Sequence, residues 1–161
     1  FWQASIDLRR AFGPWSPSLS AGVVKPQLQG VYLGEAVDYN EPGYYVQPNH
    51  YLQLPLGMTF NLDFYYNSGG SQGIYRFDPY WSLSAVLRKS FLSNRLDVKL
   101  SASDLFHTLD YYERARINRF SFYQNEYYAQ WDVSLSLIYR FNQQQLKYGG
   151  RSAAAKEKNR L

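Results

Sequence analysis

The chain has 161 residues, no cysteine, a net charge of +4 and many aromatic residues (16 Tyr, 10 Phe and 4 Trp). The lack of cysteine excludes disulfide bonds and thiolate metal sites. The longest apolar run, three residues with glycine not counted, is far shorter than the roughly 18 residues of a transmembrane helix. The charge argues against a basic nucleic-acid groove, because residues 1–141 contain 12 basic and 12 acidic residues and the excess lies in residues 142–161.

The dominant pattern is an alternation of apolar and polar residues with a period of two, which predicts β-strands with chemically different faces. We predict seven strands, over about residues 1–11, 18–32, 43–53, 58–66, 75–91, 96–103 (optionally continuing through 114–123) and 127–141. The last is the clearest: one face carries Trp131, Val133, Leu135, Leu137, Tyr139 and Phe141. Most of these strands have the roughly 9–11 residues that a tilted strand needs to cross a bilayer.

Short and long connections alternate between the predicted strands. The short ones contain residues 13–17, 54–57 and 92–95, whereas the long ones are rich in Gly and Tyr and cover about 33–43, 67–73 and part of 104–130. Tight turns on the periplasmic side and larger loops outside are typical of outer-membrane β-barrels. The sequence therefore predicts an all-β, antiparallel transmembrane β-barrel over residues 1–141. Residues 142–161 lack apolar periodicity and are predicted to form a basic, solvated tail.

Seven strands are an odd number, and the smallest bacterial barrels close with about eight strands and an even count. An open sheet would leave unpaired edges in hydrocarbon, which the membrane does not tolerate. We therefore expect further strands from sequence before Phe1. On this interpretation the chain is the C-terminal segment of a larger barrel.

The two faces of the strands receive different predicted roles. The large apolar side chains are expected to face lipid; they are Trp2, Phe60, Leu62, Phe64, Trp81, Leu83, Leu100, Trp131, Leu135 and Leu137. The polar face is expected to line a hydrated interior through cross-strand pairs, with plug or substrate contacts as the alternative. Its members are Asp7, Arg9, Asn61, Asp63, Tyr80, Arg88, Asp97, Lys99, Asp132 and Arg140.

Several motifs resemble outer-membrane proteins of Bacteroidetes. The segment 65–75 (YYNSGGSQGIY) resembles a loop of such barrels, and 88–96 (RKSFLSNRL) resembles their "KSFLNKRL" periplasmic turn. The segment 103–108 (SDLFHT) resembles the "NDIFNT" or "NNLFD" segment of TonB-dependent receptors, and 133–141 (VSLSLIYRF) their final "VSLSLSYRF" strand. The end of the tail, 159–161, is similar to a short periplasmic extension of the same group. Asp104 and His107 depart from the usual residues, and residues 1–57 match by pattern only.

The resemblance to the TonB-dependent receptor family implies more than the residues alone do. Such receptors have barrels of about 22 strands with a plugged lumen. They import scarce nutrients such as iron chelates, cobalamin or glycans, and an inner-membrane energy-coupling complex acts on their N-terminal region. The expected location is the Gram-negative outer membrane, with the tail in the periplasm. The expected partners are outer-membrane lipid, the barrel-assembly machinery, the energy-coupling complex and a small nutrient ligand, with no cofactor and no nucleic acid.

Two groups of aromatic residues are candidates for specific roles. Tyr139 and Phe141 end the last strand, where barrels of this type carry an aromatic assembly signal; the alternative is an ordinary aromatic girdle. In the outer loops, tyrosine rings could stack on sugars or catecholate groups, or belong to the outer aromatic belt. The predicted ligand-contacting residues are Tyr39, Tyr44, Tyr66, Tyr75, Tyr111 and Tyr112, and the same loops also carry Tyr32 and Tyr45.

No catalytic pattern is apparent, and we predict that the protein is not an enzyme. His50 and His107 are isolated, and Asp104, Asp110 and Glu113 lack the spacing of a calcium loop. One alternative fold is a soluble β-sandwich, such as a carbohydrate-binding module, which would bring Leu62, Leu83, Leu100 and Leu135 together across two stacked sheets. The other alternative is a small complete barrel that serves as a passive pore or adhesin.

Overall fold

The computed structural model describes residues 1–32, 34–117, 120–127 and 131–141. The described residues form thirteen β-strands and one short 3-10 turn, Pro55–Gly57. The strands are β1 (Trp2–Arg9), β2 (Trp15–Lys25), β3 (Leu28–Tyr32), β4 (Glu35–Tyr39), β5 (Gly43–Leu54), β6 (Met58–Asn67), β7 (Gly70–Gln72), β8 (Tyr75–Phe77), β9 (Tyr80–Phe91), β10 (Leu96–Ser103), β11 (Asp110–Ile117), β12 (Phe120–Tyr127) and β13 (Asp132–Tyr139). No helix within these ranges could span a membrane.

Seven long strands form one antiparallel sheet in the order β1-β2-β5-β6-β9-β10-β13, which we call the wall sheet. Each wall strand pairs with the wall strand that precedes it in the chain, so the sheet is an up-and-down meander. The seven predicted strands correspond one to one with these seven. The wall sheet is open, because β1 and β13 each pair with a single neighbour among the described strands.

Several predicted strand bounds are wrong. The predicted strand 127–141 begins later, at Asp132, because Tyr127 belongs to β12 of a different sheet. The predicted strand 18–32 is interrupted after β2 at Pro26, and the predicted strand 75–91 is divided before β9 at Pro79. Proline has no backbone N–H to donate to a ladder, which favours a strand end at these two positions, although Pro17 and Pro48 are accommodated inside β2 and β5. The optional continuation of the sixth strand through 114–123 is also incorrect, since those residues lie in β11 and β12 of a different sheet.

The alternation of short and long connections is confirmed. Residues 10–14, 55–57 and 92–95 join wall strands at one end of the sheet, here called the inner end. The long connections emerge at the opposite, outer end, and each contains a hairpin: β3–β4, β7–β8 and β11–β12. Strands β7, β8, β11 and β12 together form a four-stranded sheet. The predicted outer loops are therefore an ordered layer of β-structure.

The strand register determines which side chains share a face, because directly opposed residues of antiparallel strands point the same way. Leu62 opposes Ala85, Leu100 opposes Leu87, and Leu135 opposes Leu100, while Leu83 lies two residues from Ala85. All four leucines therefore lie on one face of a single sheet. The sandwich prediction, which required them to meet across two sheets, is wrong.

The wall sheet has no hydrophobic core of its own. In the described ranges the buried hydrophobic residues are Tyr39 and Ala115, and both lie in the outer hairpins. Apolar side chains of the wall are instead exposed, with Leu135 at 64% and Leu137 at 63% of full exposure. An apolar surface of this kind requires a nonaqueous partner to stabilise it.

Three glycines allow the β7–β8 hairpin to pack against the start of β5. A Cβ atom at Gly43 would collide with the carbonyl oxygen of Gly69, and one at Gly70 would lie 3.0 Å from Gly43 Cα. The contact is fixed by hydrogen bonds from Ser68 N to Tyr44 O (2.9 Å) and from Ser71 N to Glu41 O (3.1 Å). The hairpin is thereby held against the outer end of the wall.

We expect Gly43→Ala to loosen this hairpin without unfolding the wall. Overpacking costs about 1–3 kcal/mol, so the amides of Ser68 and Ser71 should exchange with solvent about tenfold faster or more in the membrane-embedded protein. Hydrogen exchange measured by mass spectrometry checks this. Gly30→Ala is the control, because a Cβ there lies 4.0 Å from its nearest neighbour, Val37 Cγ2. Equal exchange in the two variants would contradict the packing argument.

Candidate membrane surface and outer-mouth site

One face of the wall sheet is apolar across all seven strands. The strand register places nine of the ten predicted lipid-facing residues on it: Trp2, Phe60, Leu62, Phe64, Trp81, Leu83, Leu100, Leu135 and Leu137. The tenth, Trp131, immediately precedes β13, and its ring lies 4.9 Å from that of His107. Contact of this face with lipid stays a prediction.

Aromatic side chains concentrate at both ends of the apolar face. At the outer end, ring centroids are 5.8 Å apart for Tyr44–Tyr66 and 5.7 Å apart for Trp81–Phe106. At the inner end, the corresponding distances are 5.5 Å for Phe12–Trp15, 5.8 Å for Trp15–His50 and 4.6 Å for Tyr139–Phe141. Rings with one polar and one apolar side favour the two membrane–water interfaces.

The spacing of the two aromatic zones fits a bilayer. Trp81 and Phe91 lie near opposite ends of β9, ten residues apart, which is about 33 Å along an extended strand. For a strand tilted by about 40° this separation corresponds to about 25 Å along the membrane normal, which is the height of the apolar band of outer-membrane barrels. The apolar face therefore has both the chemistry and the dimension of a membrane-spanning surface.

The opposite face of the wall sheet is polar and hydrogen-bonded between strands. Asp63 accepts hydrogen bonds from Asn49 Nδ2 (3.0 Å) and Gln47 Nε2 (3.3 Å). Ser101 and Ser134 hydroxyls are 2.8 Å apart, and Ser20 donates to Asp7. Each such pair contributes about 0.2–1 kcal/mol. These contacts match the expectation that polar wall residues pair across strands.

An ion pair fixes the end of the last strand. Arg140 Nη2 lies 2.6 Å from Asp97 Oδ2, and Ser90 Oγ donates to the same carboxylate at 2.6 Å. Arg140 also donates from its backbone N to Arg95 O (2.7 Å) and from Nη1 to Asn94 O (2.9 Å). The motif 88–96 and the motif 133–141 thus meet at the inner end. The adjacent Phe141 ring is left 82% exposed.

The motif 103–108 is a structured turn organised by Asp104. This residue is only 5% exposed and has a positive φ of 46°. Its carboxylate accepts hydrogen bonds from the backbone N of Thr108 (3.1 Å) and of Leu109 (3.2 Å). Leu105 N donates to Leu83 O (2.8 Å) and Thr108 Oγ1 donates to Trp81 O (2.7 Å), so the turn lies along the outer end of β9. The two oxygens of Asp104 suit this position because each accepts from a different amide.

A cavity of about 490 Å³ lies where the polar face meets the β7–β8 hairpin, and we call it the outer-mouth cavity. Its lining includes Gln3, Tyr45, Asn67, Gln72 and Tyr80, together with the backbone of the glycine-rich segment 69–73. Among the residues that the structure describes, no lining side chain carries a charge. The lining combines aromatic, aliphatic, amide and hydroxyl side chains with glycines.

The tyrosine rings of the outer mouth are positioned by their strand neighbours. Tyr45 opposes Gly22 across the β2–β5 ladder, and a Cβ at Gly22 would lie 2.5 Å from the Tyr45 ring. Because Gly22 has no side chain, the Tyr45 ring can lie against the neighbouring strand. Beside it, the rings of Tyr65 and Tyr80 are 5.8 Å apart, and Asn67 Nδ2 donates to Tyr65 OH at 3.2 Å.

A second cavity, of about 780 Å³, lies among the three outer hairpins and has a charged lining. Arg76 pairs with Glu41 at 2.6 Å, and Arg114 pairs with Asp78. Asp78 N also donates to Tyr112 O at 3.1 Å. These contacts connect the segment after β4 to β8, and β8 to β11. The arginines of this cavity are engaged by carboxylates of the protein itself.

The predicted ligand-contacting tyrosines do not form one site. Tyr44 and Tyr66 lie in wall strands on the apolar face, and Tyr44 also borders the outer-mouth cavity. Tyr39 is buried at the end of β4. Tyr75 begins β8, and Tyr112 lies in β11 with its ring 6.3 Å from that of Tyr123. The side chain of Tyr111 and the whole tail, 142–161, lie outside the described residues. Ligand contact by these tyrosines stays a prediction.

Sequence reasoning placed two residues of the outer-mouth cavity, Tyr44 and Tyr45, in the outer loops but did not recognise the cavity as a site. It assigned Tyr80 to the polar face and did not single out Gln3, Asn67 or Gln72. A signal was present in Gly22, since an isolated glycine inside a strand indicates the close approach of another group. The partner of that glycine, Tyr45, becomes identifiable only when the register between β2 and β5 is known.

Comparison with protein families gives one match. Residues 5–139, most of the chain, match the model of the outer membrane protein beta-barrel family. Searches among curated proteins and among solved structures return no match. The matched range contains the whole wall sheet except the first three residues of β1.

The assignment of the two faces predicts opposite tolerance to charge at adjacent positions of β10. In the full-length protein, Leu100→Arg would place a charge near the middle of the apolar face and should lower the free energy of unfolding by about 2–4 kcal/mol. Ser101→Arg, on the polar face, should cost about 1 kcal/mol, since it loses mainly the hydrogen bond to Ser134. Guanidinium unfolding in phospholipid vesicles measures both. An equal or reversed cost would exclude lipid contact at Leu100.

The assembly role predicted for Tyr139 and Phe141 can be tested through the exposed ring of Phe141. We expect Phe141→Ala in the intact protein to reduce its amount in outer-membrane fractions to about half or less, because the recognition element is lost. Phe12→Ala is the matched control, since Phe12 is also an exposed aromatic residue beside an inner turn. The T-shaped contact with Tyr139 contributes about 0.5–1.5 kcal/mol, so the stability of the assembled protein is measured in parallel. Unchanged outer-membrane levels would remove the assembly role.

Proposed function

The chain belongs to the outer membrane protein beta-barrel family, and we propose that it forms the C-terminal wall of a TonB-dependent receptor-like barrel that imports a scarce nutrient. Family membership makes it an outer-membrane barrel protein, as the alternating strands predicted. The import function is a more specific proposal than membership of the family. It is supported by the receptor-like motifs at 103–108 and 133–141, which form the outer turn of β10 and the anchored final strand.

The observation that carries the proposal is the ordered layer of outer hairpins. β7, β8, β11 and β12 form a sheet of their own, and the segment after β4 is tied to it by the Glu41–Arg76 ion pair. A passive pore needs only connections that leave its mouth open. Packed outer hairpins that hold cavities of about 490 and 780 Å³ suit a protein that captures a ligand at the cell surface.

The open edges of the wall sheet support a barrel larger than these seven strands. In hydrocarbon, each unpaired backbone group costs several kcal/mol, so a spanning sheet must close on itself. β1 and β13 each lack a second partner among the described strands. Further strands must therefore complete the wall. A barrel of receptor size, with about 22 strands and a plugged lumen, supplies them.

The remaining features of the proposal follow from the receptor-like assignment. Ligand capture by the outer hairpins would be followed by release to the periplasm, driven by an inner-membrane energy-coupling complex that acts on a region outside this chain. The barrel-assembly machinery would insert the protein into outer-membrane lipid, and the basic tail 142–161 would lie in the periplasm. The protein would bind no nucleic acid, would need no cofactor and would catalyse no reaction.

The conductance of the purified full-length protein in planar lipid bilayers tests the proposal, with potassium chloride as the probe. We expect no steady ionic current, because a plugged receptor stays closed until it is energised. We also expect the folded protein to bind the purified periplasmic domain of the energy-transducing protein, and to lose that binding when its N-terminal coupling segment is deleted. A permanently open channel would favour the passive pore. A closed barrel that does not bind the periplasmic domain would exclude energised import.

A further inference from the structure

The outer-mouth cavity has a chemistry that selects among the nutrient classes a receptor could import. It lies on the polar face of the wall, which is the interior face of the barrel, and at the outer end, where an external ligand arrives first. The side chains of its described lining residues are aromatic, amide, aliphatic or hydroxyl, and none of them is charged. The inference drawn from it deepens the proposed import function and rests on it.

The absence of charge in this lining disfavours an ionic ligand. Moving an anion such as a ferric chelate out of water is costly unless a cation of the site replaces its hydration. The arginines of the neighbouring loop cavity, Arg76 and Arg114, already pair with Glu41 and Asp78. An anionic ligand would therefore find no cationic side chain among the described lining residues of the outer-mouth cavity. To recruit one of these two arginines it would have to break an existing ion pair.

The tyrosine rings supply flat apolar surfaces beside polar groups. Tyr45, whose ring lies against Gly22, and Tyr80, whose ring lies 5.8 Å from that of Tyr65, both line the cavity. Aromatic rings of this kind pack against the C–H faces of sugar rings and contribute binding through apolar contact. Phenol hydroxyls and amides both donate and accept hydrogen bonds, so they can match the hydroxyl groups of a sugar.

The glycine-rich segment completes the cavity by bringing backbone close to it. Gly69 and Gly70 pack against Gly43, and Gly69 N is held by Asn67 Oδ1 at 2.8 Å. Ser71 is buried and its hydroxyl donates to Glu41 O at 3.2 Å. This glycine-rich part of the cavity is therefore preformed by internal hydrogen bonds, and a ligand does not have to order it on binding.

We propose that the outer-mouth cavity binds a neutral glycan, with Tyr45 and Tyr80 as its aromatic contacts and Gln3 and Gln72 as hydrogen-bonding groups. Its volume of about 490 Å³ lies within the usual range of about 300–1,000 Å³ for ligand pockets. Of the nutrients that barrels of this kind import, the cavity thus selects uncharged polyhydroxylated molecules over anionic iron chelates.

Binding by the purified full-length protein to an array of neutral and acidic glycans tests the proposal. The protein is kept in an amine-oxide detergent, because a maltoside or glucoside headgroup would compete for the cavity. A ferric tris-catecholate is titrated in parallel by fluorescence quenching. We expect retention on neutral glycans and no saturable binding of the chelate.

Substitutions at the two rings connect binding to this cavity. Tyr45→Ala and Tyr80→Ala should each weaken neutral-glycan binding about tenfold, because a stacking surface is lost. Tyr45→Phe keeps the ring and should weaken binding less than about threefold. Tyr51→Ala is the matched control: Tyr51 lies on the same polar face of β5, opposite Ser16 and Asn61, about 20 Å toward the inner end. Heat-modifiable migration on gels verifies folding of every variant.

The proposal would be overturned by retention only on acidic glycans, by no retention on any glycan, or by neutral-glycan binding that Tyr45→Ala and Tyr80→Ala leave unchanged. Saturable chelate binding that those two variants abolish would also overturn it. The assay requires neither a closed plug nor an energy-coupling partner. A negative result in the glycan assay would therefore not contradict the import proposal. An open channel in the bilayer measurement would contradict the import proposal without changing the result of the glycan assay.

Discussion

Backbone hydrogen bonding across the seven wall strands is the constraint on which the rest of the structure depends. In a membrane no water is present to satisfy an N–H or C=O group, so strands must pair along their whole length. That pairing forces successive side chains onto opposite faces, and the wall becomes apolar on one side and polar on the other. Irregular backbone is found mainly at the two ends of the sheet, and at the outer end it begins beside Pro26 and Pro79.

Much of this wall could be predicted because apolar and polar residues alternate with a period of two in the sequence itself. Leu100 and Ser101 are adjacent yet have opposite environments, and that contrast needs no knowledge of the partner strand. The turn at 92–95 and the final strand were equally readable, since short polar connections follow from local chemistry. The family match over residues 5–139 agrees with that interpretation of the strands.

The outer end was less predictable because its structure depends on contacts between segments distant in sequence. The Tyr- and Gly-rich segments were expected to form loops there, yet they form β-hairpins. These hairpins also pair with each other, as β8 does with β11, across more than thirty residues of sequence. The packing of the Tyr45 ring against Gly22 depends on the register of two strands rather than on either strand alone. Periodicity identifies a face, but only pairing determines which side chains on that face become neighbours.

The cross-connections between the outer hairpins have a consequence for how this surface can change. Glu41 with Arg76 and Asp78 with Arg114 join three successive excursions of the chain, so that a replacement in one removes the counter-charge of another. A carboxylate or guanidinium left alone in this way loses its stabilising partner. Exchange of a single hairpin between homologous barrels would therefore leave charged side chains without their partners. Transplanting the three connections together would preserve both ion pairs. Diversification of this exterior is expected to proceed by coordinated, not independent, replacement.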